Sequence, residues 1–405
     1  MLLIQNCNLV DMAGTFQEKR DLLIDGGKVA RVAPSIRAEE GWEVIDAAGR
    51  LVTPGIIDPH SHLGVSSVGT IEGNDTNEST SPTTPGLRAI DAINPADPAF
   101  GVALRCGVTT IVTGPGSANL IGGTFAAVKT VSGANPNLTL EDCVLKEEAV
   151  MKMALGENPK FAYGRRGKNP STRMMSAALL REQLMKAREY HQKWLEYQKK
   201  VEAGEDTEPF SYDLGMHSLM RVFEGMNCKM HCHHAVDAMT AIRVAEEFGL
   251  RYTLEHFSDC YLLVDEIKAH HCRVIIGPLF YGKNKLESHR KSLASAGILE
   301  KNEIPFSVMT DCGVIPVEGL LTQMALLIKH GLSWKGALEA VTISAAKLND
   351  IDDRVGSLEP GKDADLVIWN VEPFATMSEA GVVIINGKVQ HEKKEGEIDV
   401  DYQGL

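Results

Sequence analysis

The sequence predicts an α/β protein: a (β/α)8 TIM barrel carrying a small β-sandwich domain formed by the N- and C-terminal segments. Three observations predict it. Both ends of the chain read as short strands with tight turns, and the middle alternates apolar runs with helical patterns. At 405 residues the chain is long enough for a barrel of ~250 residues and a small domain besides.

The opening segment, residues 1–53, contains LLIQNCNLV, DLLIDGGKVARVA and WEVIDAAGRLV, with an Asp25-Gly26-Gly27 turn. Such runs, rich in β-branched residues and punctuated by glycine, read as strands. The closing segment, residues 351–405, repeats the pattern with DADLVIWN and GVVIINGKVQHEK around an Asn386-Gly387 hairpin turn. Between them, residues 54–350 offer GIIDPHSH, GVTTIVTGP, VMKMALGE, KMHCHHA, RYTLEHF, RVIIGP and PFSVMTDCG. Helix-like segments such as VDAMTAIRVAEEFG follow several of these, as βαβ units in a parallel barrel require.

An insertion at about residues 160–212 breaks the rhythm with a helix starting near Ser171 and ending at Gly204, far longer than the ~12 residues of an average helix. The basic loop before it, KFAYGRRGKNPSTR, would suit a lid that greets an acidic substrate, although exposed charges are usually just solvated. The segment GNDTNESTSPTTPGLRAIDAINPAD is too long for a simple βα connection and is expected to cover the site. The glycine-rich GPGSANLIGGTFAAVKT reads as a loop that could bring backbone N–H groups or Asn119 near a substrate, or simply make tight turns.

Bulk properties exclude several classes. A formal charge of −13 disfavours non-specific attraction to nucleic acid or an anionic membrane. No stretch reaches the ~20 apolar residues of a membrane span, and the N-terminus lacks the pattern of a secretion signal, so the expected location is cytoplasmic. The eight cysteines show no CxxC pair of a structural zinc site and are expected to be reduced.

The chemistry gathers at strand ends. His60 and His62 stand two apart on a strand, so alternation turns both to one face, and neutral imidazoles suit zinc, iron or nickel. Of only 13 histidines, His231, His233, His234 and His256 also fall at the ends of strand candidates. His231 and His233 share a face; His233 is preferred as a metal ligand and His231 as a catalytic contact to substrate. Asp311, after the apolar run PFSVMT, would in isolation suit a helix N-cap or turn. Beside so many strand-end histidines it reads as a metal ligand that also exchanges a proton with bound water. VMKMALGE offers Lys152 and Glu157; Glu157 lies at the C-terminal, catalytic end and is preferred, since a lysine would serve only after carboxylation.

These residues resemble those of the amidohydrolase superfamily over nearly the whole chain. LVTPGIIDPHSHLG looks like the family's first barrel strand, and GSLEPGKDADLVIWN followed by VVIINGKV looks like its return to the β domain. The resemblance implies His233, His256 and Asp311 as the ligands of strands five, six and eight. The family's strand-four lysine has no clear match, while MALGENPK with PSTRM downstream looks like an imidazolonepropionase-like branch, which supports Glu157.

The function implied is hydrolysis of a C–N bond, non-peptide or dipeptide-like, in a small substrate that is cyclic or acidic. The cofactor would be one or two divalent transition ions, zinc foremost and Fe2+ next, held by His60, His62, Glu157, His233, His256 and Asp311. A single-metal deaminase and a catalytically silent scaffold are the alternatives. The resemblance also implies a homo-oligomer.

Overall fold

In the computed structural model, residues 1–10, 16–66, 74–135, 137–282 and 285–394 are described. Gly73, which opens the long loop after the first barrel strand, and the last part of the closing segment lie outside them.

The barrel strands are β1 (Ile56–Ser61), β2 (Val108–Thr113), β3 (Ile121–Lys129), β4 (Val144–Ala154), β5 (Asn227–Cys232), β6 (Tyr252–His256), β7 (Arg273–Ile276) and β8 (Phe306–Val308). They form one eight-stranded sheet in that order. Every residue of β1, β2 and β5 is buried, as expected of strands covered on both faces. Just past β8, the backbone N–H of Asp311 donates to His60 O over 3.1 Å, and Thr310 bonds the carboxylate of Asp58, so the last strand meets the first.

The barrel departs from an all-parallel one at β3, which runs antiparallel to both β2 and β4. This strand is the segment read from sequence as a glycine-rich loop. Its Gly123 sits at φ +106° where the register with β4 shifts, and a Cβ there would lie 2.1 Å from Leu87 O. Glycine within a strand marks such an irregularity as readily as a loop, and this one is buried throughout.

Both termini do assemble together. Leu2–Val10, Phe16–Asp25, Lys28–Ala33, Glu43–Asp46 and Leu51–Pro54 join Leu366–Val371, Glu379–Ile385 and Lys388–Glu392. Hydrogen bonding runs through these eight strands as one sheet rather than as two separate ones, with Leu51–Pro54 pairing antiparallel to Leu366–Val371. Leu3, Ile4, Cys7, Leu22, Val52 and Leu366 are among its fully buried residues.

The long helix of the insertion spans Arg173–Glu202 and is capped by Thr172, whose hydroxyl accepts from Met175 N–H. Ser176, Ala177, Leu180, Leu184 and Ala187 form its buried stripe, at helical spacing, while its last turns are largely exposed.

One polar joint ties the two sheets. Lys129 at the end of β3 donates to Asp363 over 2.6 Å, to Asp365 over 3.1 Å and to the side chain of Asn386. Asp363 also accepts from Lys28 at 2.7 Å and Arg354 at 2.8 Å. The GKDADL and Asn-Gly motifs therefore have a structural task. Burial raises the Asp363 pKa, but the bonds from Arg354, Lys129 and Lys28 outweigh it and hold the group well below the usual carboxylate range.

Because that folded value lies below the unfolded value of ~3.9, the stabilisation is complete above that range and is lost as pH falls through the folded value. Asp363→Asn is expected to lower stability at pH 7 by about 3 kcal/mol, the low end for a broken buried pair, because Asp365 and Asn386 still face Lys129. Urea unfolding of both proteins at pH 7 and pH 3 checks this: the gap narrows on acidification, and an unchanged midpoint at pH 7 contradicts it.

Candidate metal centre

The C-terminal ends of β1, β4, β5 and β6 and the residues after β8 converge on one cavity of about 310 Å3. His62, His231, His233 and Asp311 line it, with His60, Lys152 and His256 buried beside them. His231, His233 and His256 each bring a ring nitrogen to within 4.8 Å of the others, and His60, His256 and Asp311 form a second such group. The two groups share His256.

Alternation explains most of this convergence. Asp58, His60 and His62 share a face of β1, and Lys229, His231 and His233 share one of β5. Alternation from Glu255 would turn His256 outward, but its backbone adopts φ +68° and the ring faces the site. Asp311 likewise has φ +53°. Such left-handed conformations in non-glycine residues persist where the surroundings enforce them, and they concentrate at functional sites.

Hydrogen bonds fix the rings. The Nδ1–H of His60 donates to Glu255 over 2.6 Å, that of His62 to Gly114 O over 2.7 Å, and that of His256 to Gly277 O over 3.0 Å. Carboxylates and carbonyls only accept, so each Nε2 carries an inward lone pair. His256 Nε2 is buried without a partner, and His62 Nε2 faces Asp311 Oδ1 at 3.0 Å, acceptor against acceptor. A cation between them satisfies all three, and rings held through their far nitrogen are what metal-ligating histidines require. The donor set therefore fits a divalent transition ion.

Burial sets the charge states. It drives His60, His231 and His256 well below the ordinary imidazole value and His233 down to about 3, so the rings are neutral near pH 7. Burial raises Asp311, yet its neighbours His256, His62 and Lys152 outweigh it and keep the carboxylate anionic. Lys152 donates to His60 Nε2 over 3.0 Å, and burial brings its amine down to about 8.

Not every expected residue joins the centre. Glu157 is the first residue of the helix Glu157–Gly164, where its N–H donates to Glu287, and it belongs to neither ligand group. The strand-four side chain at the centre is Lys152, level with Lys229 in the sheet. Strand β4 ends at Ala154, so Glu157 lies beyond the turn at Gly156. Asn119 is buried and donates to Glu78 O, Ser81 O and Tyr163; it braces the long loop rather than facing the cavity. That loop does reach the site, supplying Asn74, Thr76 and Asn77 to the cavity wall. His234 points away, toward Asp259 at 3.6 Å.

Sequence reasoning passed over Glu255, Lys229 and Asn158. The first two are charged residues inside apolar strands, which was the available signal. Lys229 lies 3.3 Å from Glu255, both fully buried beneath His60. Asn158 accepts from Lys285 over 2.6 Å, which directs its NH2 toward His231 Nε2 at 3.3 Å. His231 then carries its proton on Nδ1, toward Ser117 Oγ at 2.9 Å, and its Nε2, on the cavity side, can only accept or ligate.

The model of the amidohydrolase family matches residues 51–390. Amidohydrolase tasK of Hapsidospora irregularis is 29% identical over 391 residues, covering 91% of this chain and 40% of that protein. Dihydropyrimidinase 2 of Caenorhabditis elegans is 42% identical over 79 residues, 20% of this chain and 15% of that protein. The chain thus spans less than half the length of these curated relatives. The crystal structure of an amidohydrolase from Thermotoga maritima MSB8 superposes with a TM-score of 0.90 at 35% identity, covering 97% of this chain and all of that one. Among the described residues, no helix is long and apolar enough to cross a membrane.

Since Glu255 orients His60 without touching the cavity, Glu255→Gln is expected to weaken zinc binding by about 10–100-fold while the fold persists. Competition with a chromophoric chelator measures it; an unchanged affinity contradicts the orienting role.

Proposed function

Because the chain belongs to the amidohydrolase family, a family of metal-dependent hydrolases, we propose that it hydrolyses a C–N bond, other than a peptide bond, in a small polar molecule. The observation that carries this is the inward lone-pair cluster: His62 Nε2 against Asp311 at 3.0 Å and the unpartnered Nε2 of His256.

His60, His62, His233, His256 and Asp311 would hold the ion, with zinc the preferred identity for an imidazole-rich set and Fe2+ the next. When bound, such an ion supplies a Lewis acid and lowers the pKa of its water toward ~7. Lys152 takes the strand-four position in place of Glu157. Its buried amine, uncharged over part of the neutral range, can add CO2 and release a proton, becoming an anionic carbamate. One ion fits the unmodified lysine and two fit the carbamate.

The chain's own residues supply the rest. Asp311, anionic at neutral pH, takes a proton at its carboxylate and returns it to the departing nitrogen. His231 was expected from sequence to donate to the substrate oxygen. Its lone pair faces the cavity instead, so we place it with His233 and His256 as a ligand. The donor at the substrate oxygen becomes the Asn158 NH2, worth about 10²–10³-fold in rate if it acts as an oxyanion donor. Polar groups dominate the cavity wall, Val314 being the one aliphatic side chain among the described residues that line it, which favours a polar substrate.

Metal analysis with single-turnover kinetics tests these roles. His231→Ala is expected to lose metal, Lys152→Met to hold no more than one ion, Glu157→Gln to keep the wild-type content, and Asn158→Ala to keep it while losing about 10²-fold in rate. A His231→Ala protein with full metal and a slowed reaction returns His231 to the substrate oxygen. Release of ammonia from a ring carbon, with the ring left closed and an oxo group at that carbon, favours the deaminase.

A further inference from the structure

The basic loop that suggested an acidic substrate does not serve the cavity. Arg165 lies over the Phe161 ring, Arg166 bonds Ser79 O, and Arg173 pairs with Asp237. None of the three lines the cavity, whereas Lys285, from the segment between β7 and β8, does.

Lys285 differs from a solvated surface lysine in where its ammonium is held. It donates to Asn158 Oδ1 over 2.6 Å, and the same amide reaches His231 Nε2 at 3.3 Å, so one amide group separates the cation from the metal-facing ring. Among the described residues no carboxylate forms an ion pair with it, and it is the only lysine or arginine lining the cavity. Neighbouring Lys291 is committed to the Tyr281 ring and to Gly282 O. One N–H of Lys285 is used on Asn158, leaving further donors for the cavity. Among the described residues the one acid lining the cavity, Asp311, sits at the metal groups. A substrate reaching from the ion to the mouth thus meets a positive end opposite the reacting end.

We propose that Lys285 is a specificity-determining residue that binds a carboxylate on the substrate, so that the enzyme acts on small acids bearing a hydrolysable C–N bond a few atoms from the carboxylate. This rests on the metal-dependent reading of the site. Asn158 links the two ends: a carboxylate on Lys285 leaves the amide aimed at the reacting oxygen. The 310 Å3 cavity, at the lower end of the usual range for small-molecule sites, suits a molecule of that size.

The probes are succinic acid monohydroxamate, whose hydroxamate grips a divalent ion while its carboxylate extends away, and the neutral analogue with a carboxamide in place of that carboxylate. Calorimetry on the zinc-loaded protein is expected to show the acid binding about tenfold more tightly, the scale of a hydrogen bond to a charged group. Lys285→Met should weaken the acid about tenfold more than the carboxamide and so abolish the preference; Lys285→Arg should keep it. Equal binding of the two probes to the unaltered protein, or a preference that survives in Lys285→Met, overturns the proposal. Failure to retain zinc, or to bind either hydroxamate, overturns the metal reading and this inference with it.

Discussion

The site depends on the closure of the barrel. When Asp311 N–H reaches His60 O at 3.1 Å, the residues after β8 come to lie beside the end of β1, and the ends of β4, β5 and β6 face the same point. Without that contact, Asp311 and His62 would sit on opposite edges of an open sheet and the group of His60, His256 and Asp311 could not form. The left-handed backbone of Asp311 and His256 accompanies this arrangement. Such strain costs about 1–3 kcal/mol per residue and is carried by the surrounding packing.

Burial then governs the chemistry. A buried imidazole is neutral because its charged form is poorly solvated, and a neutral imidazole with Nδ1–H fixed to an acceptor offers its Nε2 lone pair inward. The same desolvation would be prohibitive for Lys229 and Glu255 separately, yet paired at 3.3 Å beneath His60 they satisfy each other while Glu255 steers the ring. Neutral ligands, an anionic Asp311 and an amine poised to change form are thus consequences of one water-poor environment.

Much of this was legible in the sequence because strands have a period of two. His60 with His62 and His231 with His233 announce a shared face, and their position after apolar runs announces the strand end. The long helix was legible from its uninterrupted periodicity, running Arg173–Glu202. Where local backbone departs from the regular pattern, the sequence misled. Gly122-Gly123 disguised β3 as a loop, and Glu157 looked like a strand end although the chain turns at Gly156 with φ +92°. Asn158 and Lys285 meet only in three dimensions, more than a hundred residues apart. The tautomer of His231 depends on that meeting, so its role could not be read from its position in the strand.

The most direct test of the central claim, that strand-end imidazoles and Asp311 hold a transition ion, is X-ray absorption at the zinc edge on the zinc-reconstituted protein. The account predicts a first shell of nitrogen and oxygen at ~2.0–2.1 Å with imidazole scattering beyond it. Failure to retain zinc in stoichiometric amount, or a dominant sulfur shell at ~2.3 Å implicating Cys232 or Cys312, would contradict it.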